Sequence, residues 1–152
     1  MASGQTAVQA RQGGLVSLAT TAIIFGPTLR YGVFTRRQWA RQNSDLLVHF
    51  LAAQIEALRW IMNPLNKNQV IDIIAKQTKL PRQLAGQIYD QDTSANGLAK
   101  DAAIDVERLS NVLKFRAEVE GSWGGKAPAP DRYYDASYHA KALALVNGND
   151  AK

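Results

Sequence analysis

The sequence predicts an α/β chain in which two strands near the N-terminus are followed by about five to six helices. Two observations carry that expectation. Residues 15–34 hold two runs rich in β-branched, apolar and aromatic residues, separated by the breaker Gly26-Pro27. After residue 35 the apolar residues recur at helical spacing instead.

Taken in order, Gln5 to Arg11 reads as a short helix ended by Gly13-Gly14. Leu15 to Phe25 reads as a strand buried on both faces or an extended crossing segment. It is not read as an export signal: only Arg11 is positive before it, and Gly26-Pro27-Thr28-Leu29-Arg30 contains no small-x-small cleavage site. Nor is the run long enough to span a bilayer. Leu29 to Phe34 reads as the second strand. Because a two-stranded sheet is marginal alone, the pair is expected to belong to a larger sheet. Residues 1–35 are thus read as crossing strands with a short N-terminal helix, and residues 36–152 as the helical part of the same incomplete domain.

The helices are set by their caps. Thr35 and Gln38 fit a capping box that starts a short helix with Trp39 and Ala40. Asn43-Ser44 opens the longest helix, Asp45 to Met62, whose stripe of Leu47, Phe50, Leu51, Leu58 and Ile61 is wide enough for the middle of a core. Asn63-Pro64 stops it. Asn66 caps a third helix and Pro81 opens a fourth, where Leu84 and Ile88 are i,i+4 neighbours. Residues 90–103 form a polar loop, and Asp105 caps a helix running through Val119. The segment from Gly121 to Pro130 is a rigid, exposed connector, and a tail helix covers Asp135 to Val146.

Composition excludes several functions. The 152 residues suffice for one domain with a sizeable core. The +5 net charge is spread along the chain, densest at Arg30, Arg36, Arg37 and Arg41, and reads as a solvated helix face; no nucleic-acid partner is expected. With no cysteine there is no disulfide, thiol nucleophile or thiolate metal site. His49 and His139 stand apart, without the clustering a zinc site needs. The carboxylate pairs Asp45/Glu56, Asp90/Asp92 and Glu118/Glu120 fit surface settings, and Gly121-Ser122-Trp123-Gly124-Gly125 lacks the strand-then-helix context of a phosphate loop. The chain is therefore expected to be no enzyme, with no cofactor and no metal. Trp39, Trp60 and Trp123 are read as packing residues, and Tyr133, Tyr134 and Tyr138 as packing the tail helix back on the body.

Several stretches, in order, carry a family resemblance. Gly26 to Ala40 gives a glycine-aromatic strand and then Arg37-Gln38-Trp39-Ala40; Asn43 to Ala53 contains Leu47-Val48-His49-Phe50-Leu51; Arg59 to Pro64 and Lys76 to Pro81 continue it. Ile104 to Glu118 is the closest stretch, and Tyr133 to Tyr138 closes the series. Ser44 stands where the usual pattern has proline. Together these resemble the C-terminal half of ABC-transporter solute-binding proteins for sulfonate, taurine and nitrate, a group sharing its fold with thiamine-pyrimidine-precursor binding proteins. The resemblance implies a partial periplasmic-binding-protein type II fold, a two-lobe α/β architecture closing by hinge motion over its ligand, of which this chain holds the second half.

On that resemblance the chain is a truncated, non-enzymatic solute-binding component of an ABC importer. Its expected partners are a small organic or inorganic anion, bound weakly or not at all, an ABC permease if exported, and a possible second copy in a homo-oligomer. The family is periplasmic; without a signal peptide the chain as given is expected to stay cytoplasmic. Thr28, Arg30 and Tyr31 fall where the crossing strand passes the cleft, where a guanidinium could pair with a sulfonate, nitrate or phosphate oxygen and Tyr31 could stack or donate. The same residues also fit a plain strand end with a solvated arginine. A free-standing helical interaction module with a basic face is the alternative function.

Overall fold

In the computed structural model, residues 4–19, 23–24, 26–29, 31–95 and 97–149 are described, and they contain helices and turns but no strand. The helices are α1 (Gly4–Gln12), α2 (Arg37–Gln42), α3 (Ser44–Met62), α4 (Lys67–Thr78), α5 (Arg82–Asp92), α6 (Val106–Glu118) and α7 (Ser137–Asn149). Short 3₁₀ turns stand at Pro64–Asn66, Ser122–Gly125 and Pro130–Arg132. The expected α/β class, and with it the partial binding-protein sheet, is therefore corrected to a helical one. None of the helices is long and apolar enough to cross a membrane among the described residues.

The missing strands have a physical cause. Leu15 to Ala19 is irregular, and Ile23 and Ile24 are helical. Leu18 is 98% exposed and Ile23 78%, so these residues are not the doubly buried strand their β-branched character suggests. The second run, where described, is also irregular up to Arg36. Proline has no N–H for a ladder, and the polar groups around Pro27 are claimed by a helix. The Asn111 amide donates to the Pro27 carbonyl at 2.9 Å, and the Leu29 N–H donates to the Arg108 carbonyl at 3.4 Å. A segment whose backbone bonds go to α6 has none left there for a strand partner.

The chain divides into two compact units. One comprises residues up to Leu18 together with Gln54–Ala102; the other comprises Ala19–Ala53 and the chain from Ala103. In the first, α4 and α5 pack as a helical hairpin, with α1 against α5. Val70, Ile71, Ala85 and Tyr89 form its core, with Ile61, Ile74 and Ala75 packed on it. Lys79 takes the left-handed conformation at the end of α4 (φ 57°), and Pro81 sits just before α5. Across the hairpin, Lys67 Nζ meets Asp90 Oδ1 at 2.8 Å, and Arg82 pairs with Asp72 while donating to Asn68 Oδ1 at 3.0 Å. The hydrogen bond to Asp90 is the main cause holding the Lys67 ammonium above its ordinary pKa.

In the second unit α6 is the scaffold. Asp105 caps it as the sequence indicates, its carboxylate accepting from the N–H groups of Glu107 and Arg108 at 2.9 and 3.1 Å. The 3₁₀ turns at Ser122–Gly125 and Pro130–Arg132 both pack on it. Trp123 sits at φ 53°, a region a bulky side chain rarely enters. Its ring is fastened by Tyr133, 5.9 Å away between centroids, and by the Arg116 guanidinium at 5.9 Å. These contacts explain how the strained turn persists. Arg37 donates to the Arg132 carbonyl and ties α2 to the same region.

Three local expectations also change. The capping box at Thr35 does not form: α2 starts two residues later, with Arg36 at its N-cap and no side-chain cap. The Asn43 amide donates back to the Trp39 carbonyl at 2.9 Å, while its own carbonyl accepts from Leu47 at the start of α3. Along α3, Leu47, Ala52 and Ile55 are buried, but Phe50 is 49% exposed. The stripe read from the sequence is thus shifted round the helix.

Candidate functional site

Within the first unit, α3, α4, α5 and the loop after α5 enclose a cleft of about 360 Å³. Ala57, Trp60 and Ile61 come from α3, Val70, Ile73 and Ile74 from α4, and Tyr89 from α5. Helical spacing produces this wall: Val70, Ile73 and Ile74 repeat on one face, and Tyr89 follows the buried Ala85 by one turn. Trp60 and Ile73 are only partly covered, at 39% and 50% exposure, so the cleft opens to solvent.

The remaining wall is Asp92, Thr93 and Leu98. The chain is folded back here by its own hydrogen bonds. The Thr93 hydroxyl donates to the Tyr89 carbonyl at 2.8 Å, the Gly97 N–H to the Ser94 carbonyl at 2.8 Å, and the Leu98 N–H to the Asp92 carbonyl at 2.7 Å. At Gly97 an added Cβ would run into the backbone of Asp92 and Gln91. Only glycine allows that approach, and the approach is what delivers Leu98 to the cleft. Arg59 Nε donates to Asp101 Oδ1 at 2.7 Å and anchors the far end of the loop to α3.

The residues expected to bind an anion lie elsewhere. Thr28 is half-buried and Tyr31 is 57% exposed, both on irregular backbone, and neither lines this cleft. Arg30 lies outside the described residues. A smaller hollow in the second unit, about 230 Å³, is lined by Ile24, Asn111, Lys114, Phe115, Glu118 and Val119. Sequence reasoning missed the apolar cleft because it treated residues 90–103 as a polar loop; the apolar Leu98 behind Gly97 was the available signal.

The glycine-rich turn offers no phosphate cradle. A phosphate loop needs Gly-x4-Gly-Lys-Ser/Thr between a strand and a helix, but here Glu120 and Ala127 occupy the first and last positions around Gly125-Lys126. The turn follows α6 and leads into extended backbone at Lys126. Among the described residues, no group of three or more His, Asp or Glu side chains is placed to hold a metal ion.

Over 107 residues the chain is 32% identical to the ribose import ATP-binding protein RbsA 1 of Mesorhizobium japonicum, a match covering 70% of this chain. The chain spans 19% of that protein's length. No protein-family model matches the sequence, and no solved structure matches it. The similarity is to an ATP-binding component of an ABC transporter. It overturns the resemblance to sulfonate, taurine and nitrate solute-binding proteins and, with it, the role of a truncated solute-binding component. The alternative of a free-standing basic helical module gains no support either.

Proposed function

We propose that the chain is a non-enzymatic helical segment serving the ATP-binding side of an ABC importer. The observation that carries this reading is the 107-residue similarity to a ribose import ATP-binding protein. The non-enzymatic part is supported by the glycine-rich turn, whose sequence and setting lack the groups that cradle phosphates. On this reading the helices contribute contacts to an assembly, while nucleotide chemistry resides in other residues of that assembly.

Two measurements test it. Co-expression of the tagged full chain with the ABC permease and ATP-binding proteins of the same organism should retain those proteins on the affinity resin. Failure to retain either would contradict the reading. Incubation of the purified chain with Mg-ATP should release phosphate only at background rate, and turnover lost in a point variant of this chain would show that it is an enzyme.

A further inference from the structure

We propose that the apolar cleft between α3, α4 and α5 is a binding site for a small neutral ring compound. Its size sets the upper end of the class. An apolar cavity of roughly 150 Å³ holds benzene, so about 360 Å³ has room for a fused or linked pair of rings. Its walls set the chemistry. Trp60 and Tyr89 supply aromatic surface, and Ile61, Ile73, Ile74 and Leu98 supply aliphatic surface. Both favour a flat, apolar body.

Hydrogen bonding excludes the competing occupants. A water molecule held in such a site needs two to four polar partners. The Thr93 hydroxyl is already turned into the Tyr89 carbonyl, and the Asp92 carbonyl is taken by the Leu98 N–H. The cleft is therefore poorly hydrated, which favours entry of an apolar solute. The Asp92 carboxylate is the charged group on the lining. It disfavours an anion of the same size and selects a neutral ligand. This site stands independently of the ABC assignment, so its test can fail without affecting that reading.

The experiment is a fluorescence titration of the purified full chain with N-phenylnaphthylamine, a neutral two-part aromatic probe. Binding should saturate at one probe per chain. The anionic analogue anilinonaphthalenesulfonate should bind about ten-fold more weakly or worse. Ile73→Asp places a charge on the lining at a half-exposed position and should weaken the neutral probe by about ten-fold or more, while Leu65→Asp, 90% exposed in the same unit, should leave it within roughly two-fold. If Ile73→Asp loses its helical circular dichroism, Ala57→Trp, which fills the cleft from its exposed rim, takes its place. Non-saturable binding, tighter binding of the sulfonate, or equal binding by the wild type and the cleft variant would overturn the proposal.

Discussion

Arg59 and Asp101, 42 residues apart in sequence, meet at 2.7 Å between Nε and Oδ1. One stands near the end of α3 and the other at the end of the loop that follows α5. The pair therefore closes the chain around the cleft. Its side chains are 26% and 32% exposed, so solvent screens it substantially. Asp101→Asn should lower unfolding free energy by about 1 kcal/mol or less. Urea titrations at low and high salt check this: the difference from wild type should shrink at high salt.

Gly97 should be the glycine least tolerant of substitution. An alanine Cβ there meets backbone, which cannot rotate away as a side chain can. Gly97→Ala should destabilise the chain by about 1–3 kcal/mol and weaken the cleft's hold on the neutral probe by displacing Leu98. Gly121, at φ 67°, has nothing within 4 Å of an added Cβ. Gly121→Ala should show only the left-handed backbone penalty, roughly 1–2 kcal/mol, and leave probe binding unchanged.

Ile55 is fully buried in α3, whereas Leu65 is 90% exposed. Ile55→Ala should therefore cost about 2–5 kcal/mol through lost burial and the cavity left behind. Leu65→Ala should fall within roughly 0.5 kcal/mol of wild type. Equal effects in chemical denaturation would mean that α3 presents a different face to its core.

Asp135 supplies a pH dependence. Its carboxylate accepts from the Ser137 N–H at 3.0 Å at the start of α7, and hydrogen bonding to Ser137 holds its pKa below the ordinary aspartate value. A depressed folded-state pKa means that the unfolded chain binds the proton more readily. The stabilisation is thus fully present above the unfolded-state value and disappears as pH falls through the folded-state one. Nuclear magnetic resonance titration should find the Asp135 midpoint below that of an exposed aspartate, and Ser137→Pro, which removes the N–H donor, should raise it.

Much of the helical layout was legible because its signals are local. Asp105 can cap α6 with its own side chain, and Asn63-Pro64 ends α3 whatever packs nearby. The strands were misread because β-branched composition describes what suits a sheet and does not supply a partner. Around Pro27 the backbone finds α6 instead, through Asn111 and Arg108, an outcome set by residues more than seventy positions away. The cleft was hidden for the same reason. Trp60, Ile73 and Leu98 sit in three different segments, and only the turn at Gly97 brings the last to the others. Thr28 and Tyr31 were chosen for a crossing strand, and the backbone there forms none.

The reading of the chain as a non-enzymatic segment on the ATP-binding side of an ABC importer meets its most direct test in co-purification. The tagged full chain, co-expressed with the permease and ATP-binding proteins of its own organism, should retain both on the resin in amounts well above a tag-only control. Recovery of the chain alone, with neither protein above that control, would contradict the account.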